Sequence, residues 1–336
     1  MKHLQEIVEA AKVRGRRRLA VAYGQDSHTI EAVYDAYNEG LVEPILYGDR
    51  IVIEQVCRDM NIDSSVFRII DEKSDVKAAL LAATAVSTGE ADVLMKGMLP
   101  TDKYMRAILN KDLGLCPPKA TLSHVSVFEW NGYHKLLLAS DIAIILQPDI
   151  KQKQQQIGYL RQVANTLGVE TPKIGCVAPS EQVLPASVSS IEGAMLAKMA
   201  DRGQLGNVVV DGPLSLDVAL FKEVAEHNKV KGSTIAGDVD ALLFPNIESG
   251  NVFFKSVSHL AGGEIAAVVM GAKVPCGLTS RGDSAASKKY SIALACLLAK
   301  YFLKAFTAAI LMCQQWAVRQ VQPIAANYDE RCKISL

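Results

Sequence analysis

The densest run of reactive side chains is Gly277-Leu278-Thr279-Ser280-Arg281-Gly282-Asp283-Ser284. The guanidinium of Arg281 can grip a phosphoryl or carboxylate group with two parallel hydrogen bonds. Ser280, Thr279 and Ser284 can donate to an oxyanion, and Asp283 is the nearest carboxylate able to take a proton. The plainer alternative is a polar turn in which Asp283 or Ser284 caps a helix running on from Ala285.

Three other segments join an apolar run to a helix-competent one. In Met95-Lys96-Gly97-Met98-Leu99-Pro100-Thr101, Lys96 offers a compact charge and Gly97 a close backbone approach to a ligand. A strand-to-helix turn with a solvent lysine reads equally well. In Phe244-Pro-Asn246-Ile-Glu-Ser-Gly250-Asn251, Gly250 at a helix entry would leave N–H groups for a phosphate, with Lys255 one turn in. Asn246 and Asn251 could donate as well, although Ser-Gly-Asn is also an ordinary cap. In Val210-Asp211-Gly212-Pro213, an acidic group ends a strand before a forced turn, and a structural role is favoured.

Something must bring these segments together, and the apolar pattern supplies it. Leu19–Tyr23, Val42–Tyr47, Ala91–Met95, Lys173–Ala178, Asn207–Asp211, Ala241–Phe244 and Ile265–Met270 read as buried strands. Helices are expected between them, over Ile51–Met60, Asp75–Ser87, Thr101–Leu109, Ser187–Met199, Leu216–His227 and Asn251–Leu260. Alternation of this kind means an α/β fold with mostly parallel sheets, whose ligands lie at the carboxyl ends of strands. The rhythm breaks at Leu136–Ala139 and Ile142–Leu146, two strand-like runs close together, which predicts an antiparallel element between two domains.

Composition narrows the classes. The 336 residues carry 36 basic and 36 acidic side chains, so a neutral chain has little to offer a polyanion, and no nucleic-acid partner is expected. The basic knot Arg14, Arg16, Arg17 and Arg18 reads as a solvated helix end. The seven cysteines show no Cys-x-x-Cys pair and no zinc spacing, which points to reduced thiols, a cytoplasmic setting and no metal. Residues 1–9 read as an ordinary first helix and not as a signal peptide. The apolar stretch Ser291–Cys313 nears a membrane span in length, but Lys300 and Lys304 would each cost about 2.5–3.5 kcal/mol at a bilayer centre. No membrane partner is expected.

With these motifs in this order, the chain resembles the phosphate acetyl/butyryltransferase family, most closely its butyryltransferase branch. The likeness rests on Ala91–Gly97, Gly212-Pro-Leu-Ser-Leu-Asp217, Phe244–Asn251, Leu278–Ser284 and Ser287-Lys-Lys-Tyr-Ser-Ile292, and spans about residues 18–295. It implies an isocitrate/isopropylmalate dehydrogenase-like fold, with 1–127 and 272–336 forming one domain, 128–271 the other, and the site in the cleft between them. It implies acyl-CoA and phosphate as substrates, no cofactor, and a homodimer or larger homo-oligomer. Ser280 and Arg281 match the family's serine and arginine that stabilise the transition state and bind phosphate. Acetyltransferase relatives have a carboxylate seven positions after that serine, as base for the CoA thiol. Here Ser287 stands there, leaving Asp283 as the substitute. His259 stands where those relatives have an arginine, and the chain beyond about residue 300 has no counterpart in the likeness.

The reaction so implied is direct attack of phosphate on the acyl-CoA carbonyl, giving acyl phosphate and CoA. Rival readings are a phosphate acetyltransferase, a metal-dependent decarboxylating dehydrogenase, which the sparse carboxylates around Asp211, Asp238 and Asp240 disfavour, and a scaffold without activity. An acyl-enzyme at Cys276 is disfavoured by its apolar strand.

Overall fold

The computed structural model describes residues 1–228, 230–278 and 283–299. Thr279, Ser280 and Arg281 therefore lie outside the described residues, as does the chain from 300 on.

The first half alternates helix and strand: α1 (Leu4–Val13), β1 (Arg17–Ala22), α2 (Ser27–Asn38), β2 (Val42–Gly48), α3 (Arg50–Asp59), β3 (Arg68–Asp71), α4 (Asp75–Ser87), β4 (Val93–Lys96) and α5 (Thr101–Ile108). An antiparallel pair follows, β5 (Ser123–Glu129) and β6 (Leu137–Ser140). The second half holds α6 (Ile150–Thr166), β7 (Lys173–Val177), α7 (Val188–Asp201), β8 (Val209–Leu214), α8 (Leu216–Leu220), α9 (Lys222–His227), β9 (Ala241–Leu243) and α10 (Ile247–Lys255). The chain then returns through β10 (Glu264–Met270) and β11 (Cys276–Gly277) into α11 (285–299).

Among the described residues all the strands join one 11-stranded sheet in the order β3-β2-β1-β4-β11-β10-β5-β6-β9-β7-β8. The flanks are parallel, while β11, β10, β5 and β6 alternate in direction through the middle. This is the mixed α/β, dehydrogenase-like arrangement that the resemblance implied.

Caps set several helix starts. The Asp26 carboxylate accepts from Thr29 N–H at 2.9 Å, and Asp149 closes a reciprocal capping box with Gln152. In α11, Ile292 through Ala299 are all buried, so this part of the apolar stretch is a helix enclosed by protein on every side. Among the described residues no helix is long and apolar enough to cross a membrane. The arginine knot leaves Arg14 and Arg16 exposed, as a solvated helix end would, while Arg14 donates to the Leu297 carbonyl at 2.8 Å, Arg16 lies over Tyr37 and Arg18 pairs with Asp92.

Four expectations need correction. Ile142–Leu146 is not a strand, because the Asp141 carboxylate captures the Ala143 and Ile144 N–H groups that a ladder would need. The helix expected from Leu216 to His227 is broken at Phe221, whose backbone is extended. The strand expected to end at Asp211 runs on through Gly212-Pro213 to Leu214, which an edge strand tolerates. The helix expected from Asn251 begins at Ile247, four residues earlier, because Asn246 is the cap.

Candidate active site

The register of the sheet gathers the strand ends onto one row. Met95 pairs with Gly277, Gly277 with Val268, and Val268 with Val125. On the other side Ser126 pairs with Ala139, one step before Ser140, which pairs with Leu243. The flanking strands run in opposite directions in the two halves, yet β4, β11, β6 and β9 all stop within a residue or so of this row. The loops after β4 and β11 leave it one way, those after β6 and β9 the other, and β5 and β10 run through between them.

Lys96 ends β4 and is 6% exposed. Its ammonium turns back on its own loop, donating to the carbonyls of Gly97 at 3.1 Å and Leu99 at 3.0 Å. It is therefore neither a solvent lysine nor an unoccupied charge. Gly97 is required by packing: a Cβ there would lie 2.4 Å from the Tyr23 carbonyl oxygen. Pro100 and Thr101 do open a helix, α5. From that helix the fully buried Tyr104 reaches the Gly277 carbonyl at 3.1 Å and the Leu94 carbonyl at 3.3 Å. One phenol thus ties the strand bearing Lys96 to the strand that leads into Leu278.

Across the row, Asn246 accepts from Ser249 N–H at 3.0 Å, and Asn251 donates to the Ile142 carbonyl at 3.1 Å. Gly250 is not at a helix entry with an open N–H, since that N–H already reaches the Asn246 carbonyl. What it supplies is space: a Cβ would meet the Asp141 carbonyl oxygen at 2.4 Å. Lys255 is in the last turn of α10, over the Phe254 ring, and so about 13–14 Å along the helix from the cap. His259 is exposed in the π turn that follows. Asp211 lies on β8 at the far edge of the sheet, away from the other segments.

Two residues at the row went unremarked in the sequence. His124 is 3% exposed and Asp141 2%. Asp141 accepts four hydrogen bonds: from Ser123 Oγ at 2.9 Å, His124 N–H at 3.1 Å, Ala143 N–H at 2.8 Å and Ile144 N–H at 2.9 Å. It thereby fixes the loop after β6, whose Ile144 packs on the apolar cluster of Leu99, Tyr104 and Leu278. His124 Nε2 lies 3.4 Å from the Leu278 carbonyl and Nδ1 3.3 Å from Ser126 Oγ. Burial pushes its pKa below 6.5, against the opposing pull of Asp141, the Leu278 carbonyl and Asp283. The available signal was a polar triplet, Ser123-His124 with Ser126, inside an otherwise apolar strand.

At the start of α11, the Ser284 hydroxyl accepts from Ser287 N–H at 2.9 Å, so Ser284 is the cap. The Asp283 carbonyl accepts from Lys288 Nζ at 2.9 Å. Cys276 is fully buried and its thiol is pushed up to about 12 by burial, which leaves it unsuited to nucleophilic attack. Among the described residues no group of His, Cys, Asp and Glu could hold a metal ion.

Comparison with known proteins fits this geometry. A family profile described as phosphate acetyl/butaryl transferase matches residues 2–79 and 74–296. The phosphate butyryltransferase of Clostridium acetobutylicum is 40% identical over 299 residues, covering 89% of this chain and 99% of its own. The phosphate acetyltransferase of Thermotoga maritima is 39% identical over 296 residues, covering 88% and 99%. The crystal structure of a branched-chain phosphotransacylase from Enterococcus faecalis V583 superposes with a TM-score of 0.75 at 26% identity, covering 84% and 99%. A motif-bearing chain matched over residues 2–296 by the family profile and over 89% of its length by such a relative, on a sheet whose strand ends converge as described, belongs to the phosphate acetyl/butyryltransferase family.

Proposed function

We propose that the protein moves a short acyl group between CoA and inorganic phosphate, giving acyl phosphate and free CoA. The observation that carries this reading is the convergence of the β4, β11, β6 and β9 ends on one row, in a chain whose relatives act as phosphate butyryl- and acetyltransferases.

The chemistry follows from what those segments can offer. Phosphate oxygen attacks the thioester carbonyl, the C–S bond breaks, and CoA leaves with a proton. The oxyanion formed on the way needs donors already in place, and Ser280 is assigned that part. Arg281 holds the phosphate in line, so that two substrates react as one bound pair. Thr279 and Ser284 flank them, and Lys96 and Gly97 form the wall on the β4 side. Asn246, Gly250, Asn251 and Lys255 belong to the wall on the α10 side, where their fit is structural before it is catalytic. No metal and no further cofactor is called for by this chemistry.

Butyryl is the acyl group favoured by the closest branch of the resemblance, and the acetyl alternative is supported by a relative of nearly equal identity. The division into 1–127 with 272–336 against 128–271 is supported by the reversal of strand direction between β5 and β6. A cytoplasmic setting is supported by five free cysteines among the described residues. A homodimer or larger homo-oligomer is supported by apolar side chains left exposed around α7, namely Val183, Leu184, Val188 and Met195.

The test is release of free thiol from an acyl-CoA series, acetyl to hexanoyl, with and without phosphate. Phosphate-dependent release peaking at butyryl is expected. Absence of release with every member would remove the reading, and a peak at acetyl would replace butyryl by acetyl.

A further inference from the structure

Running from acyl phosphate to acyl-CoA, the reaction must take a proton from the CoA thiol. The described carboxylates around the row differ in their capacity to do so. Asp141 commits both oxygens to four donors. Asp283 is engaged with partners of its own.

Glu264 is placed differently. It opens β10, which runs antiparallel to β11, four residues before the Val268 that pairs with Gly277, on the side toward which β4 and β11 run and beside the start of α11. Its Oε2 accepts from Ser284 Oγ at 2.7 Å and from Ser287 Oγ at 2.6 Å. Both hydroxyls are themselves fixed, Ser284 by Ser287 N–H and Ser287 by Ile265 N–H at 2.9 Å. The carboxylate is thus clamped through one oxygen, while Oε1 has no hydrogen bond or ion pair among the described residues. Its titratable surroundings are Glu129, opposite on β5 and engaged by His3 of the α1 cap, and Tyr290 on α11. Burial and the two glutamates push the Tyr290 hydroxyl up. Lys288, the nearby cation on α11, is turned to the Asp283 carbonyl.

We propose that Glu264 is the catalytic base for the CoA thiol, a role that rests on the phosphotransacylase reading above. Oε1 takes the thiol proton as sulfur bonds to the acyl carbon. The acyl C–O bond to phosphate breaks, and the proton passes on to the released phosphate, which leaves as HPO₄²⁻. In the opposite direction the same carboxyl group returns the proton to the departing thiolate. Ser287 thereby acts through Glu264: it orients a carboxylate from β10 without supplying one from α11.

The experiment is acyl-CoA formation from butyryl phosphate and CoA, followed across pH 6 to 9 for wild type, Glu264→Gln, Glu264→Asp and Asp283→Asn. Gln retains an acceptor for both serines, so the start of α11 keeps its clamp. Glu264→Gln is expected to fall ~100-fold at neutral pH and then to recover about tenfold per pH unit, levelling near the ordinary thiol value of about 8.5. Wild type and Glu264→Asp, which keep a base, stay nearly flat over that range. A Glu264→Gln enzyme with wild-type turnover overturns the proposal. So does a slow one with a flat profile, which would make Glu264 a strut, and so does the steep profile appearing in Asp283→Asn instead. A wild-type enzyme inactive with every acyl phosphate fails the underlying reading, which is a separate outcome from an active wild type indifferent to Glu264.

Discussion

Single side chains at the row carry charges and donors that water would otherwise solvate, so their removal is felt directly. Ser280→Ala is expected to lower turnover ~100-fold with little change in the KM for acyl-CoA, as for loss of one oxyanion donor. Initial rates with saturating phosphate check this. His124 gives a pH signature. Burial holds it deprotonated in the fold at pH values where an unfolded chain would bind a proton, near 6.5. Stability is therefore full above about pH 6.5 and declines as pH falls from there toward the depressed native value, by at most about 1.4 kcal/mol per unit. Urea midpoints of wild type should drop between pH 7 and 5, and those of His124→Gln should drop by less.

Elements reach the row only where their backbones can touch. The N-terminal turns of α10 press against the loop after β6 because Gly250 has no side chain. Gly250→Ala would force a Cβ to 2.4 Å from the Asp141 carbonyl oxygen, so the helix must shift. The expected cost is about 1–3 kcal/mol, read as a lowered urea midpoint, with a raised KM for CoA. On the other side, α5 sends Tyr104 to the carbonyls of β4 and β11. Tyr104→Phe keeps the ring and removes the donor, at about 1 kcal/mol. Turnover should fall along with stability if the junction of these strands positions the chemistry. An unchanged kcat would confine Tyr104 to structure.

The molecule as a whole is a single sheet whose two flanks run in opposite directions. That reversal is why strands of both flanks end on one row, with β5 and β10 running through it. The outer face near α7 exposes apolar side chains, Val188 at 65% and Met195 at 46%, which the proposed homo-oligomer would cover. A Val188→Glu/Met195→Glu double variant is expected to halve the mass found by light scattering, since two carboxylates would have to be desolvated in any such contact. An unaltered mass would place the contact elsewhere on the surface.

Local chemistry alone determined much of this. Buried strands declared themselves as apolar runs, and most helix starts as capping residues: Asp26, Ser187 and Ser284 each sit where a short polar side chain can satisfy a free N–H. The motif order was enough to suggest the family. Tertiary structure decided the rest, because its causes are contacts between residues far apart in the chain. Nothing adjacent to Gly250 or Gly97 in sequence says that a carbonyl from another segment, Asp141 or Tyr23, will occupy the place of a Cβ. Nothing near Ser287 says that Glu264, 23 residues back, will accept its hydroxyl. His124 and Asp141 stand 17 positions apart and become neighbours only when β5 and β6 pair. Periodicity reports which face a residue turns to the core, whereas register and strand order report which residues it meets there, and these arise only when the sheet closes.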